Sequence, residues 1–138
     1  MRLFLDANIL FSAAKSAGAV RDFLVRLRTL GHTFVVDGYV VGEARRNVEA
    51  KFPEAVGDLD RLLADCEIFT ELCAPLACAI VPELTEKDHP VLAAALQHRC
   101  DALVTGDKVH FGSLYGQKIN GVMIHSPAGL AGHLELNS

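Results

Sequence analysis

Four acidic side chains lie far apart in the sequence, each at or near the expected end of a strand or helix: Asp6, Glu43, Asp88 and Asp107. Asp6 ends the apolar run Leu3-Phe4-Leu5, and Glu43 lies in the helical stretch from Val40 to Arg46. Asp88 opens the helix-like run from His89 to Leu96, and Asp107 closes Ala102-Leu103-Val104-Thr105-Gly106. In an open parallel sheet the strand C-termini converge on one edge, and ligands bind there. Carboxylates meeting at such an edge repel one another unless a hard cation neutralises them, and without it some of their pKa values rise. Oxygen-only ligands of this kind suit Mg²⁺ or Mn²⁺. Each acid also has a plainer reading: Asp6 and Asp88 as helix N-caps, Asp107 as a turn residue, Glu43 as a solvated helical side chain. Asp101 begins a strand and reads as a turn residue outside the group. Thr105 is a good strand former, and its hydroxyl is also placed to bond a carboxylate or bound water.

The elements that must position these residues alternate. Arg2 to Leu5 reads as a short buried strand, and Asp6-Ala7-Asn8 as a turn that caps a helix from about Ile9 to Ala14. Gly18 to Leu30 is amphipathic, with Val20, Phe23, Leu24, Leu27 and Leu30 at helical spacing, and Gly31 stops it. Thr33 to Val36 is β-rich. Asp37 then caps a helix to about Lys51. Pro53 and Gly57 precede an acidic helix near Leu59 to Cys66, and Ile68 to Leu72 reads as a strand. Ala74 to Glu83, with Pro75 and Pro82, carries no assignable pattern. A helix over 89–98, a strand from Ala102 to Val104, a glycine-bearing loop and a strand from Val122 to Ile124 follow. Ser126-Pro127 starts a final helix, with Ser as cap and Pro at its first position. Strands alternating with helices predict an α/β fold with a mainly parallel sheet covered on both faces.

The 138 residues fit a single domain, 1–138, and with 51% hydrophobic residues a substantial core is expected. No apolar run approaches the roughly 20 residues of a membrane span, and the N-terminal apolar stretch is too short for a signal peptide, so a cytoplasmic protein is expected. Cys66, Cys73, Cys78 and Cys100 match neither zinc-ribbon nor C-x-x-C spacing and read as reduced, mostly buried thiols. The six histidines show no paired ligand spacing. Net charge is −4, yet residues 54–71 hold six acids and one base, which leaves the remainder close to neutral or mildly basic. That split permits a basic surface around the site, and so does it permit charges simply mixed over the whole surface.

Met1-Arg2-Leu3-Phe4-Leu5-Asp6-Ala7-Asn8-Ile9-Leu10 resembles the opening motif of the PIN-domain family, a hydrophobic strand followed by Asp-x-Asn. The runs from Asp88 to Leu96 and from Asp101 to Asp107 resemble its later signatures, an Asp before an Ala-rich helix and an apolar strand ending in Thr-x-Asp. Glu43 matches the lone helical acid between them. The order and spacing extend the resemblance over essentially the whole chain. It implies a three-layer α/β/α domain and a Mg²⁺- or Mn²⁺-dependent ribonuclease, similar to the toxins of VapC-type toxin–antitoxin pairs. It carries catalytic roles onto Asp6, Glu43, Asp88 and Asp107, metal ligation onto Asp6, Asp88 and Asp107, and supporting polar roles onto Asn8 and Thr105. It also implies an RNA substrate, a small antitoxin partner and a homodimer. Around Asp37-Gly38 the chain departs from the family's usual Ser or Thr cap, which adds Asp37 as a further carboxylate near the site.

The chemistry agrees with the residues. In-line cleavage of a phosphodiester needs an activated water, a charge clamp and help for the leaving oxygen, and one or two Mg²⁺ ions supply all three. No catalytic His, Ser or Cys is then required, and the chain has no G-x-S-x-G and no P-loop. Arg45, Arg46, Lys108 and His110 adjoin the acids and are candidates to meet RNA phosphates, while Arg45 and Arg46 are equally placed to pair with the acids of 54–71. Two other functions compete. A non-catalytic PIN-like adaptor is expected to lose an acid, and none is lost. Phosphatase chemistry of the haloacid dehalogenase type wants a second Asp two residues after the first, where this chain has Asn8.

Overall fold

Arg2–Leu5 forms β1, in which Leu3, Phe4 and Leu5 are fully buried. A strand buried on both faces requires helices on both sides of its sheet. The structure, a computed structural model, describes residues 1–70 and 89–136. Parallel strands flank β1: β2 (Thr33–Asp37) pairs Phe34 with Leu3, and β4 (Ala102–Val104) pairs Ala102 with Leu3 on the other side. Beyond β2 lies β3 (Cys66–Phe69), beyond β4 lies β6 (Val122–His125), and β5 (Lys118–Ile119) closes that side antiparallel to β6. Among the described residues the order is therefore β3-β2-β1-β4-β6-β5. The chain leaves β1 towards β2 and β3, then returns on the opposite flank with β4. That reversal puts a topological switch point between the C-termini of β1 and β4.

Helices α1 (Ala7–Lys15), α2 (Ala19–Thr29), α3 (Gly38–Lys51) and α4 (Val56–Leu63) form one group, with α1 packed against the other three. Among the described residues the remaining α-helices are α5 (His89–Gln97), α6 (Lys108–Phe111) and α7 (Pro127–His133). This is the expected α/β class with a mainly parallel central sheet. Gly31 ends α2 at φ +91°, its N–H bonded to the Arg28 carbonyl at 3.0 Å and the next N–H, of His32, to Leu27 at 3.1 Å. Ser126 caps α7 by accepting from the Gly129 N–H at 2.9 Å, with Pro127 at the first position.

Three expectations shift. The acidic helix is Val56–Leu63, entered by a single 3₁₀ turn at Pro53–Ala55, because Leu59 and Leu63 are the side chains that reach the core. Cys66 then begins β3 rather than ending a helix, since pairing with β2 runs from Phe34↔Cys66 to Asp37↔Phe69. The loop after Asp107 holds α6 and the β5–β6 hairpin, turned by Asn120 and Gly121 at φ +47° and +93°. Ala74 to Glu83, Leu72, Cys73, Cys78 and Asp88 lie outside the described residues. The acids of 54–70 are largely paired: Glu67 with Arg2 at 2.6 Å, Asp60 with Arg45 at 2.9 Å, Asp58 with Arg21 at 3.9 Å and also with Arg61, and Asp65 with Arg28. The surface charge is thus mixed. Each such exposed pair contributes about 0–1 kcal/mol.

Candidate active site

Asp6 leaves β1 in extended conformation and caps α1, accepting from the Ala7 N–H at 2.7 Å. Its other oxygen, Oδ2, accepts from the Thr105 hydroxyl at 2.9 Å and from Asn8 Nδ2 at 3.2 Å. Thr105 follows β4 and is fully buried. Its Oγ1 also accepts from Asn8 Nδ2 at 3.3 Å and from the Asp107 backbone N–H at 3.2 Å. Asn8 Oδ1 accepts from the Gly106 N–H at 2.8 Å. A Cβ at Gly106 would sit 3.4 Å from that oxygen, an ordinary contact, so the hydrogen bond from its N–H rather than the missing side chain ties the β4 end to α1. Asp6, Asn8, Thr105 and Asp107 therefore form one connected network across the switch point, which Asp107 joins through its backbone N–H.

Asp107 caps α6, accepting from the His110 N–H at 3.2 Å, and its Oδ2 lies 2.6 Å from His110 Nδ1. Burial works to raise the Asp107 pKa, but the His110 side-chain bond, the backbone N–H groups of His110 and Val109 and the His110 charge outweigh it. The carboxyl sits below its ordinary range. Among the described residues it is burial, not a neighbouring carboxylate, that the His110 and backbone bonds overcome at Asp107. The cap roles of Asp6 and Asp107 and their place in the network are both realised.

Tyr115 was not foreseen. Its hydroxyl donates to the Thr105 carbonyl at 2.8 Å. Burial raises its pKa, followed by the charges of Asp107 and Asp6, so the phenol lies within the field of both acids. Nothing in the sequence separates it from a core aromatic. Asp37 ends β2 on the same edge, is buried, and caps α3 by accepting from the Val40 N–H at 3.1 Å. Burial raises its pKa against the opposing Val40 bond and His98 charge. Ionised Asp37 thus works against the fold at neutral pH, an effect that fades as pH falls through the raised folded value.

Glu43 lies in the second turn of α3, partly buried, and its carboxylate makes no hydrogen bond or ion pair among the described residues. Asp88 lies outside the described residues. Asp101 sits at the opposite end of the sheet and accepts from the Arg2 N–H at 2.7 Å, outside the network as expected. Lys108 is exposed beside Asp107. Arg45 is engaged by Asp60. Among the described residues no three His, Cys, Asp or Glu side chains group as a metal site. The side chains at the network nonetheless offer hard oxygens: the Thr105 hydroxyl bonds the Asp6 carboxylate and the Asp107 backbone N–H, and the Asp107 carboxylate faces His110. Mg²⁺ is commonly held by one or two carboxylates, with water and substrate phosphate completing its shell, so the residue set fits such an ion in kind.

No family model and no curated protein matches the sequence. Solved structures do. The VapBC2 structure from Rickettsia felis, bound to a DNA fragment from its promoter, aligns with TM-score 0.64 at 19% identity, covering 91% of this chain and 98% of that one. VapBC-1 from nontypeable Haemophilus influenzae aligns with TM-score 0.59 at 13% identity, covering 93% and 99%. VapC20 from Mycobacterium tuberculosis, described as a sarcin–ricin loop cleaving toxin, aligns with TM-score 0.54 at 13% identity, covering 80% and 94%. At these identities the likeness establishes architecture, and the chain has the VapC-type PIN-domain fold.

Proposed function

We propose that residues 1–138 are one domain and act as a Mg²⁺- or Mn²⁺-dependent endoribonuclease, the toxin of a toxin–antitoxin pair. The observation that carries this reading is the Asp6–Asn8–Thr105–Asp107 network at the switch point of a fold shared with VapC toxins. A bound divalent ion would be held by Asp6, Asp88 and Asp107, with Glu43 as a further acid, and would supply water activation and charge neutralisation at the phosphate. The chain's own residues hold that geometry. Thr105 and Asn8 aim one oxygen of Asp6, and the Ala7 N–H fixes the other, so the carboxylate is oriented before substrate arrives. Tyr115 clamps the β4 end on which Thr105 and Asp107 ride.

The partner reading has its own support. The neighbours from Rickettsia felis and Haemophilus influenzae are VapBC structures. In this chain a groove between α2 and α4 is lined by Leu24, Val25, Phe34 and Leu62 and rimmed by Arg21 and Arg28. An amphipathic antitoxin helix suits such a surface. We also propose a homodimer acting in the cytoplasm; no helix among the described residues is long and apolar enough to cross a membrane.

The test is incubation of partner-free protein with assorted RNAs and Mg²⁺ or Mn²⁺, against the same with EDTA. The parent should cleave only with metal. Asp6→Asn and Asp107→Asn should each lose roughly a hundredfold or more, the scale of removing a charge-stabilising group from a site. Failure of the parent to cleave any RNA under either metal would move the assignment to a non-catalytic adaptor.

A further inference from the structure

Asn8, Phe11, Ser12 and Lys15 recur at helical spacing along α1, and all but exposed Lys15 are partly buried between core and solvent. The stripe starts inside the Asp6 network and ends at the helix C-terminus. Glu43, Asn47 and Lys51 make a second stripe along α3, which packs against α1. The two stripes meet at one ring. Lys15 Nζ lies 5.5 Å and Lys51 Nζ 5.6 Å from the centre of Phe11, and the Phe52 ring stands 5.8 Å away, tilted by 53°. Neither lysine is ion-paired among the described residues; Glu49 and Glu54, the acids nearest Lys51 in sequence, leave it free.

A lysine at a helix C-terminus is explained by the helix dipole. That accounts for Lys15 and Lys51 one at a time. It does not account for two ammonium groups brought over the same partly exposed ring, which gathers positive charge at one patch. Aromatic rings beside unpaired cations are the combination that holds single-stranded nucleic acid, with bases stacking and phosphates meeting the charges. At 1.5 Å rise per residue, Phe11 and Lys15 lie roughly 8 and 14 Å along α1 from Asp6. A strand of a few nucleotides spans that distance.

We propose that Phe11, Lys15, Lys51 and Phe52 form an auxiliary RNA-binding site that holds the strand outside the Asp6–Asp107 centre along the α1–α3 seam. The proposal rests on the nuclease reading and names how that centre keeps hold of its substrate. The site suits a flexible single strand, since two ammonium groups lie over the Phe11 ring and the Phe52 ring stands beside it, so phosphates and bases can be met within one small patch.

The experiment measures binding of a fluorescein-labelled, mixed-sequence single-stranded RNA in EDTA by anisotropy, over a range of salt concentrations. The double variant Lys15→Gln/Lys51→Gln should bind about tenfold more weakly, and its salt slope should fall by about 1.4, the sum for two single-strand phosphate contacts. Phe11→Leu should bind at least about fivefold more weakly, as loss of one base stack predicts, with the salt slope unchanged. Thermal melts confirm that each variant is folded, and the lysine variant keeps the proposal testable should Phe11→Leu unfold. With Mg²⁺, the lysine variant should show raised KM on long RNA and an unchanged kcat. Parent-like affinity and salt slope in the lysine variant would overturn the site and leave the nuclease reading standing, with both lysines serving helix ends alone. Absence of RNA binding and cleavage by the parent would overturn both.

Discussion

The Thr105 hydroxyl has one hydrogen to give and two lone pairs to offer, and all are engaged: it donates to Asp6 and accepts from Asn8 and from the Asp107 N–H. Thr105→Val keeps the shape and removes those three bonds inside a fully buried environment. It should lower unfolding free energy by about 1–3 kcal/mol, the cost of leaving buried polar groups without partners. Thr105→Ser should stay within about 1 kcal/mol of the parent, because the hydroxyl remains. Urea denaturation of both variants measures this, and equal loss in the two would show that the methyl, not the hydroxyl, matters. At this scale Asp6, Asn8, Thr105 and Asp107 were legible, since each adjoins an apolar run whose end the sequence marks. Tyr115 and the bond from His110 to Asp107 were not, because their approach depends on the path of the loop after β4. The thiols of Cys66 and Cys100 behave as the spacing suggested: burial pushes each up to about 12, which leaves little thiolate at neutral pH.

Helix ends separate positions that suit their residues from positions that do not. Gly31 ends α2 in the left-handed region, where glycine carries no steric penalty. Arg99 does the same for α5 at φ +54°, with its N–H bonded to Leu96 and the Cys100 N–H bonded to Ala95. A side chain there crowds its own backbone, and Arg99 is exposed, so nothing in packing requires it. Arg99→Gly should raise stability by about 0.5–1 kcal/mol, the left-handed penalty less the extra entropy of an unfolded glycine. Gly31→Ala should lower it by about 1 kcal/mol. Chemical denaturation of both reads the pair, and a neutral or destabilising Arg99→Gly would mean that the arginine side chain contributes something the αL geometry hides. The same physics explains which elements the sequence revealed. Long periodic helices such as α2 and α3 announce themselves. The Asn120-Gly121 pair is a hairpin turn signal, but its β5 arm, Lys118–Ile119, is too short to show alternation. The start of β3 at Cys66 is decided by pairing with β2, which no local pattern encodes.

Over the whole molecule, the strand order collects residues separated by about a hundred positions at one edge, and the fold therefore senses whatever binds there. A ligand that binds the folded state alone stabilises it by mass action. Mg²⁺ at millimolar concentration should accordingly raise the parent's Tm above its value in EDTA. Asp107→Asn removes one charged oxygen donor and should respond much less. The metal-free baseline also moves. The Asp107 pKa is lowered in the fold, chiefly by His110 working against burial, so its ionised form favours folding. That contribution is present above the unfolded carboxylate pKa and is lost as pH falls through the lowered folded value. In EDTA at neutral pH the Asn variant should therefore melt slightly below the parent, and the gap should close in acid. Had the carboxylates stood together unopposed, removing one would have raised the metal-free Tm instead. Thermal melts of parent and Asp107→Asn, with and without Mg²⁺ and at two pH values, separate these arrangements. Equal Mg²⁺ responses in the two proteins would remove Asp107 from the metal site, and a more stable Asn variant in EDTA would show that repulsion, rather than the His110 contact, governs this edge.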